Sequence, residues 1–109
     1  MSLYAQYLSE RTNDGILETE EGFATFRYLN EKEVYIIDIF VRPELRQSGL
    51  AGQLANIIVE DAKKRGCVTL FGTINLLTKG ADISLKVLQG YGMRLHSAEN
   101  NIIVMKKDI

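Results

Sequence analysis

The sequence predicts an α/β (α+β) domain: a mixed, mostly antiparallel twisted sheet with helices on both faces. Three observations carry that prediction. "VYIIDIFV", Val34 to Val41, is β-branched and aromatic, and apolar on both faces except at Asp38, the pattern of a central strand buried from two sides. A turn with the only proline and two glycines follows, and then Leu50, Leu54, Ile57, Ile58 and Ala62 form one stripe of a helix. "CVTLFGTI" is another strand after that helix, and strand–helix–strand succession implies a parallel pair inside the sheet.

The remaining elements follow in order. Leu3, Tyr4, Tyr7 and Leu8 recur at helical spacing, which predicts a short opening helix ending near Arg11. "TNDG" is a turn. "ILETEEG" and "FATFRYL" are two strands with a tight turn near Glu21 and Gly22. On the second, Phe23, Thr25, Arg27 and Leu29 face one side and Ala24, Phe26 and Tyr28 the other. "NEKE" is a polar turn into the central strand. At the far end of the helix Lys63, Lys64 and Arg65 suit the negative end of the dipole, and Gly66 is a C-terminal stop. "LLTKG" connects to a second helix, "ADISLKVLQ", ending at Gly90. "MRLHSA" and "NIIVMKK" make a final hairpin around Glu99, Asn100 and Asn101.

Composition bounds the function. The 109 residues suffice for one domain, 1–109, with 46% apolar and 25% charged residues, as in ordinary soluble globular proteins. A net charge of -1 does not indicate bulk attraction to nucleic acid or an anionic membrane. One cysteine and one histidine argue against a transition-metal site, so no metal is expected. No apolar run approaches the roughly 20 residues that span a bilayer. "MSLYAQYLSE" lacks the basic-then-apolar pattern of a signal peptide, so the expected address is cytoplasmic.

The chemistry concentrates in "VRPELRQSGLAG". A helix N-terminus presents amides without intrahelical partners, and its aligned dipoles make that end positive. Gly49 and Gly52 let a ligand approach the backbone, and Arg46 adds a fixed charge. Strand, glycine turn and helix together form an anion site suited to a pyrophosphate. No Gly-Lys-Ser/Thr follows and G-x-G-x-x-G is absent, so this is neither a Walker loop nor a dinucleotide fingerprint.

Arg46-Gln47-Ser48-Gly49-Leu50-Ala51 fits Arg/Gln-x-x-Gly-x-Gly/Ala and follows "DIFVRPEL". In this it resembles the acyl-coenzyme A site of the GCN5-related N-acetyltransferase (GNAT) family, in a short, N-terminally truncated form. The resemblance covers most of the chain, and implies an acyl-CoA N-acyltransferase-like fold that uses acetyl-coenzyme A. It implies a coenzyme A pyrophosphate on Arg46, Gln47, Ser48, Gly49, Leu50, Ala51 and Gly52. It also implies pantetheine along the main chain of Ile39, Phe40 and Val41, where the strand splays from its parallel neighbour.

Where many family members have an Asn near the start of the last helix, this chain has Ala81 beside Asp82, and Asn75 is either the substitute or a turn residue. Where they have an aromatic-Tyr pair, with the Tyr protonating the departing thiolate, it has Val87 and Leu88. Tyr91 is three residues away and is expected to pack under the hairpin. The family's general base is a carboxylate on the central strand. Here that points to Asp38, expected to be buried and to act as base or as structural hydrogen-bonder. His96 reads as an exposed or packed histidine, Cys67 as a small buried hydrophobe, and Asp14, Glu18, Glu20 and Glu21 as a solvated acidic hairpin. The implied activity moves an acetyl group from acetyl-coenzyme A to a primary amine, in a small molecule or peptide, by direct attack. The alternative is a non-catalytic module that binds coenzyme A, or contacts proteins, and retains the fold. A homodimer is expected through the final strand, whose two faces are both apolar.

Overall fold

The computed structural model describes residues 3, 6, 7, 14–46 and 48–109. Six strands form one sheet: β1 (Gly15–Glu18), β2 (Gly22–Tyr28), β3 (Glu33–Val41), β4 (Thr69–Asn75), β5 (Arg94–Glu99) and β6 (Ile102–Asp108). A 3-10 turn at Pro43–Leu45 leads from β3 to helix α1 (Leu50–Lys64), and helix α2 (Ala81–Gly90) follows β4. The spatial order is β1-β2-β3-β4-β6-β5, with β3 and β4 parallel and every other pair antiparallel. This is the mixed, mostly antiparallel twisted sheet flanked by helices that the sequence predicts. Leu3, Gln6 and Tyr7 have helical backbone; the rest of the expected opening helix lies outside the described residues.

Alternation sorts the side chains onto two faces. The first face carries Ala24, Phe26 and Tyr28 from β2, Val34 and Ile36 from β3, Leu70 from β4 and Met105 from β6. Against it pack Leu54, Ile58, Val59 and Ala62 of α1, and Leu85 and Leu88 of α2. The α1 stripe is thus the core face predicted from its spacing, while Ile57 stands 53% exposed beside it. Gly72 of β4 lies under Met93 and Leu88: a Cβ there would stand 3.5 Å from Met93 Cε and 3.7 Å from Leu88 Cδ1, ordinary contact distances, and Leu88 packs against the core. The helix residue in the thiolate-acid position is therefore a core residue.

The second face carries Phe23, Thr25 and Arg27 of β2, as the sequence grouped them, and these pair with Phe40, Asp38 and Tyr35 of β3. The final turn is two residues long, and Asn100 and Asn101 both have positive φ (50° and 66°), the twist-matched hairpin geometry that asparagine tolerates.

One expectation is corrected here. The final strand, β6, is not a free edge: it pairs with β4 on one side and β5 on the other. The hairpin folds back so that β5, earlier in sequence, becomes the outermost strand.

Candidate active site

β3 and β4 pair only from Glu33 with Thr69 to Ile36 with Gly72. Beyond Ile36 the two parallel strands part, so Ile37 to Val41 lack a β4 partner. On the second face Tyr35 Oη and Thr73 Oγ1 are hydrogen-bonded at 2.6 Å across the place where the strands diverge. The fork opens toward the C-terminal end of β3, and the short link to α1 sets that helix's N-terminus at the same end.

A bulge lies beside the fork. Thr25 pairs with Asp38, but Phe26 pairs with Ile36, so Ile37 is an extra residue with no opposite number on β2. An inserted residue reverses the alternation beyond it. Val34 and Ile36 face the first side, yet so do Ile39 and Val41. Asp38 and Phe40 are thereby turned to the second face. The expected burial of Asp38 is corrected: its side chain is exposed. It lines an open pocket of about 370 Å³ with Thr25, Phe23, Phe40 and Asp14, and with Ile37 and Ile39 along its edge.

At the helix end, Gly49 is the N-cap of α1 with φ 87°, and no side chain caps the helix. Gln53 N donates to Gly49 O at 3.1 Å, which starts the helical ladder and leaves the amides of Leu50, Ala51 and Gly52 in the turn that has no intrahelical acceptor. A Cβ on Gly49 would meet nothing within 4 Å, so the cap is open to an approaching group. Ser48 Oγ donates to Leu45 O and folds the loop onto the 3-10 turn. Arg46 Nε donates to Val41 O at 3.0 Å, and its guanidinium lies 5.3 Å from the Phe40 ring centroid. The arginine read as a phosphate ligand is thus also a clamp on the end of β3. Gln47 lies outside the described residues.

The remaining candidates are held by structural contacts. Asn75 Oδ1 accepts from Leu77 N at 3.0 Å, capping the turn after β4. Tyr91 Oη donates to Asn56 Oδ1 at 2.6 Å, and Lys107 Nζ donates to Tyr91 O at 2.9 Å while standing 4.4 Å over its ring. Burial, then the negative charge of Glu60, raises the Tyr91 pKa. Tyr91 thus braces α1 to β6, as the packing reading expected. Cys67 is buried, and His96 packs edge-on to Phe71 with centroids 5.7 Å apart. The solvated reading of the acidic hairpin is corrected at Asp14, which is buried and takes a two-point contact from Arg27 Nε at 2.5 Å and Nη2 at 3.1 Å. That pair raises the Arg27 pKa, through the hydrogen bond first and the charge of Asp14 second.

The residues most important to this arrangement and missed from sequence are Ile37, Tyr35 and Thr73. Only strand register reveals an inserted residue, and only the β3–β4 pairing brings a tyrosine and a threonine 38 positions apart into contact. Among the described residues no group of three or more potential metal ligands occurs, and no helix is long and apolar enough to cross a membrane.

The acetyltransferase (GNAT) family model matches residues 18–80, more than half of the chain. Among curated proteins none matches the sequence. A GNAT family acetyltransferase from Elizabethkingia anophelis, solved with acetyl-CoA bound, is similar with a TM-score of 0.75 at 18% identity, over 98% of this chain and 82% of that one. PaiA N-acetyltransferase from Thermoplasma acidophilum, in complex with coenzyme A, is similar with a TM-score of 0.78 at 14% identity, over 98% and 69%. Ard1 from Thermoplasma volcanium gives 0.68 at 14%, covering 82% of this chain, which spans only 63% of the Ard1 length. At these identities the likeness establishes the fold. With the family match over the region that holds the bulge, the fork and the uncapped helix, the chain belongs to the GNAT acetyltransferase family.

Proposed function

We propose that this protein is an N-acetyltransferase that moves an acetyl group from acetyl-coenzyme A to a primary amine. The observation that carries the reading is the fork: two parallel strands that part after Ile36 and Gly72, with the uncapped N-terminus of α1 at the open end. Coenzyme A fits these residues. The amides of the first turn of α1 suit its pyrophosphate, and the β3 main chain from Ile39 to Val41, without a β4 partner, suits an amide-bearing pantetheine arm. When bound, acetyl-coenzyme A supplies a thioester.

The acceptor enters from the second face, where Asp38 is exposed in the pocket. Amines are protonated at neutral pH, so a proton must leave nitrogen before or as it attacks. Asp38 accepts that proton, directly or through one water, and passes it to solvent. The nitrogen lone pair forms the new bond to the acetyl carbon, and the nitrogen, now positive, gives up its second proton to solvent to leave the neutral amide. The carbon–sulfur bond breaks with its electron pair on sulfur, and solvent later protonates the thiolate. Backbone amides of β3 near the Ile37 bulge polarise the carbonyl, and holding both reactants in line supplies much of the rate. With Leu88 packed in the core, no side-chain acid serves the departing sulfur from that position.

That Leu88 packing supports a second reading, a module that binds coenzyme A without transfer. One experiment separates them. Calorimetry with coenzyme A and thiol release from acetyl-coenzyme A in the presence of amines are measured for wild type and Asp38→Asn. The enzyme reading expects turnover to fall by about 10²–10³ with coenzyme A affinity unchanged. Tight binding with no transfer by wild type to any amine selects the module. No coenzyme A binding at all removes both.

A further inference from the structure

The pocket beside the bulge has walls that discriminate among amines. Phe23 and Phe40 stack with centroids 5.6 Å apart and planes at 19°. Phe40 is 44% exposed, so the stacked pair presents an apolar face to whatever enters the pocket. Two carboxylates reach the pocket, but they are not equivalent. Asp14 is buried and committed to Arg27. Asp38 is exposed and has no hydrogen bond or ion pair among the described residues. Among the described residues no lysine or arginine is part of the lining. Arg27 is paired with Asp14, and Arg46, which keeps its charge, stands 5.3 Å from the Phe40 centroid outside the lining, with its Nε on the Val41 carbonyl. The volume, about 370 Å³, is at the small end of ligand pockets, which run from about 300 to 1,000 Å³.

We propose that the pocket takes a primary amine on a compact aromatic or branched apolar body that carries no carboxylate. The ammonium pairs with Asp38, and the body covers Phe40 and the Ile37 edge. An amino acid brings a second negative charge beside Asp38 with no cation in the lining to meet it. A polyamine brings further ammonium groups to walls that offer no second uncommitted carboxylate, and leaves the rings uncovered. The proposal rests on the acetyltransferase reading for what happens to the amine, but not for its binding.

The test uses the full chain with coenzyme A present, and titrates phenethylamine, phenylalanine and spermidine by calorimetry. Phenethylamine and phenylalanine differ only in the carboxylate. Phenethylamine is expected to bind at least tenfold more tightly than either of the others. Asp38→Asn and Phe40→Ala should each weaken it tenfold or more, with the thermal melt recorded to show that both variants are folded. Phenylalanine or spermidine binding as tightly as phenethylamine overturns the proposal, and so does the absence of phenethylamine binding. Acetyl transfer to the same three amines is followed in parallel samples that hold acetyl-coenzyme A in place of coenzyme A. Selective binding without transfer keeps the pocket assignment and sinks the enzyme reading; transfer that prefers spermidine or phenylalanine does the reverse.

Discussion

Tyr28 joins Asp61 and Arg65 in a triad at the far end of α1. Its hydroxyl donates to Asp61 Oδ2 at 2.8 Å, Arg65 Nε lies 3.3 Å from the same oxygen, and the Arg65 guanidinium sits 4.5 Å from the ring centroid. Burial first, and the bond to Asp61 second, push the Tyr28 pKa up from 10.0 to about 12. The folded state therefore favours the neutral phenol. Its contribution to stability is complete below pH 10 and is lost as pH rises toward about 12. Tyr28→Phe should lower the melting temperature slightly at neutral pH and flatten its fall across that alkaline window. Melts of both proteins from about pH 9 to 12 check this; parallel curves would show that the triad does not feel the titration. Arg46 shows how a residue can have two tasks: the motif marks it for phosphate, and the fold uses its Nε to anchor the end of β3.

At the scale of the element, α1 is bounded by two glycines in the left-handed region. Gly49 caps its start at φ 87°, and Gly66 follows its end at φ 96°. A Cβ on either meets nothing within 4 Å, so alanine at each position is strained by the backbone and not by a neighbour. Each substitution should cost about 1–3 kcal/mol of stability. On the proposed reading only Gly49→Ala adds a methyl where coenzyme A phosphates would approach, so it alone should weaken coenzyme A binding. Gly66→Ala is the matched control. Equal affinities for the two variants in calorimetry would remove the α1 N-terminus from the site.

For the whole molecule, the sheet ends in β1 on one side and β5 on the other. All six residues of β5 are exposed, including Leu95 at 63%. An exposed edge strand with an apolar side chain is a template for pairing, and antiparallel pairing of β5 with itself would give a twofold axis. We propose that the homodimer expected from the sequence forms along β5 and not β6, which has partners on both sides. Light scattering at micromolar concentration should show a dimer that Leu95→Lys converts to a monomer. A monomeric wild type, or a dimer indifferent to Leu95→Lys, overturns the arrangement.

Local pattern was enough for much of this protein. The spacing of Leu54, Ile58 and Ala62 defined a helix and its buried face, and the glycines placed its ends. Asn100 and Asn101 marked the last turn, and the loop from Arg46 to Gly52 is where the sequence expects an anion. Each of these depends on residues a few positions apart. The tertiary structure decided the rest. Ile37 becomes an extra residue only against β2, and that single insertion turns Asp38 from an expected buried carboxylate into an exposed group in a pocket. Asp14 is buried against Arg27 of β2, Leu88 packs against the core, and β6 is interior because the hairpin folds back. Strand pairing joins residues far apart in the chain, and no local periodicity encodes its register.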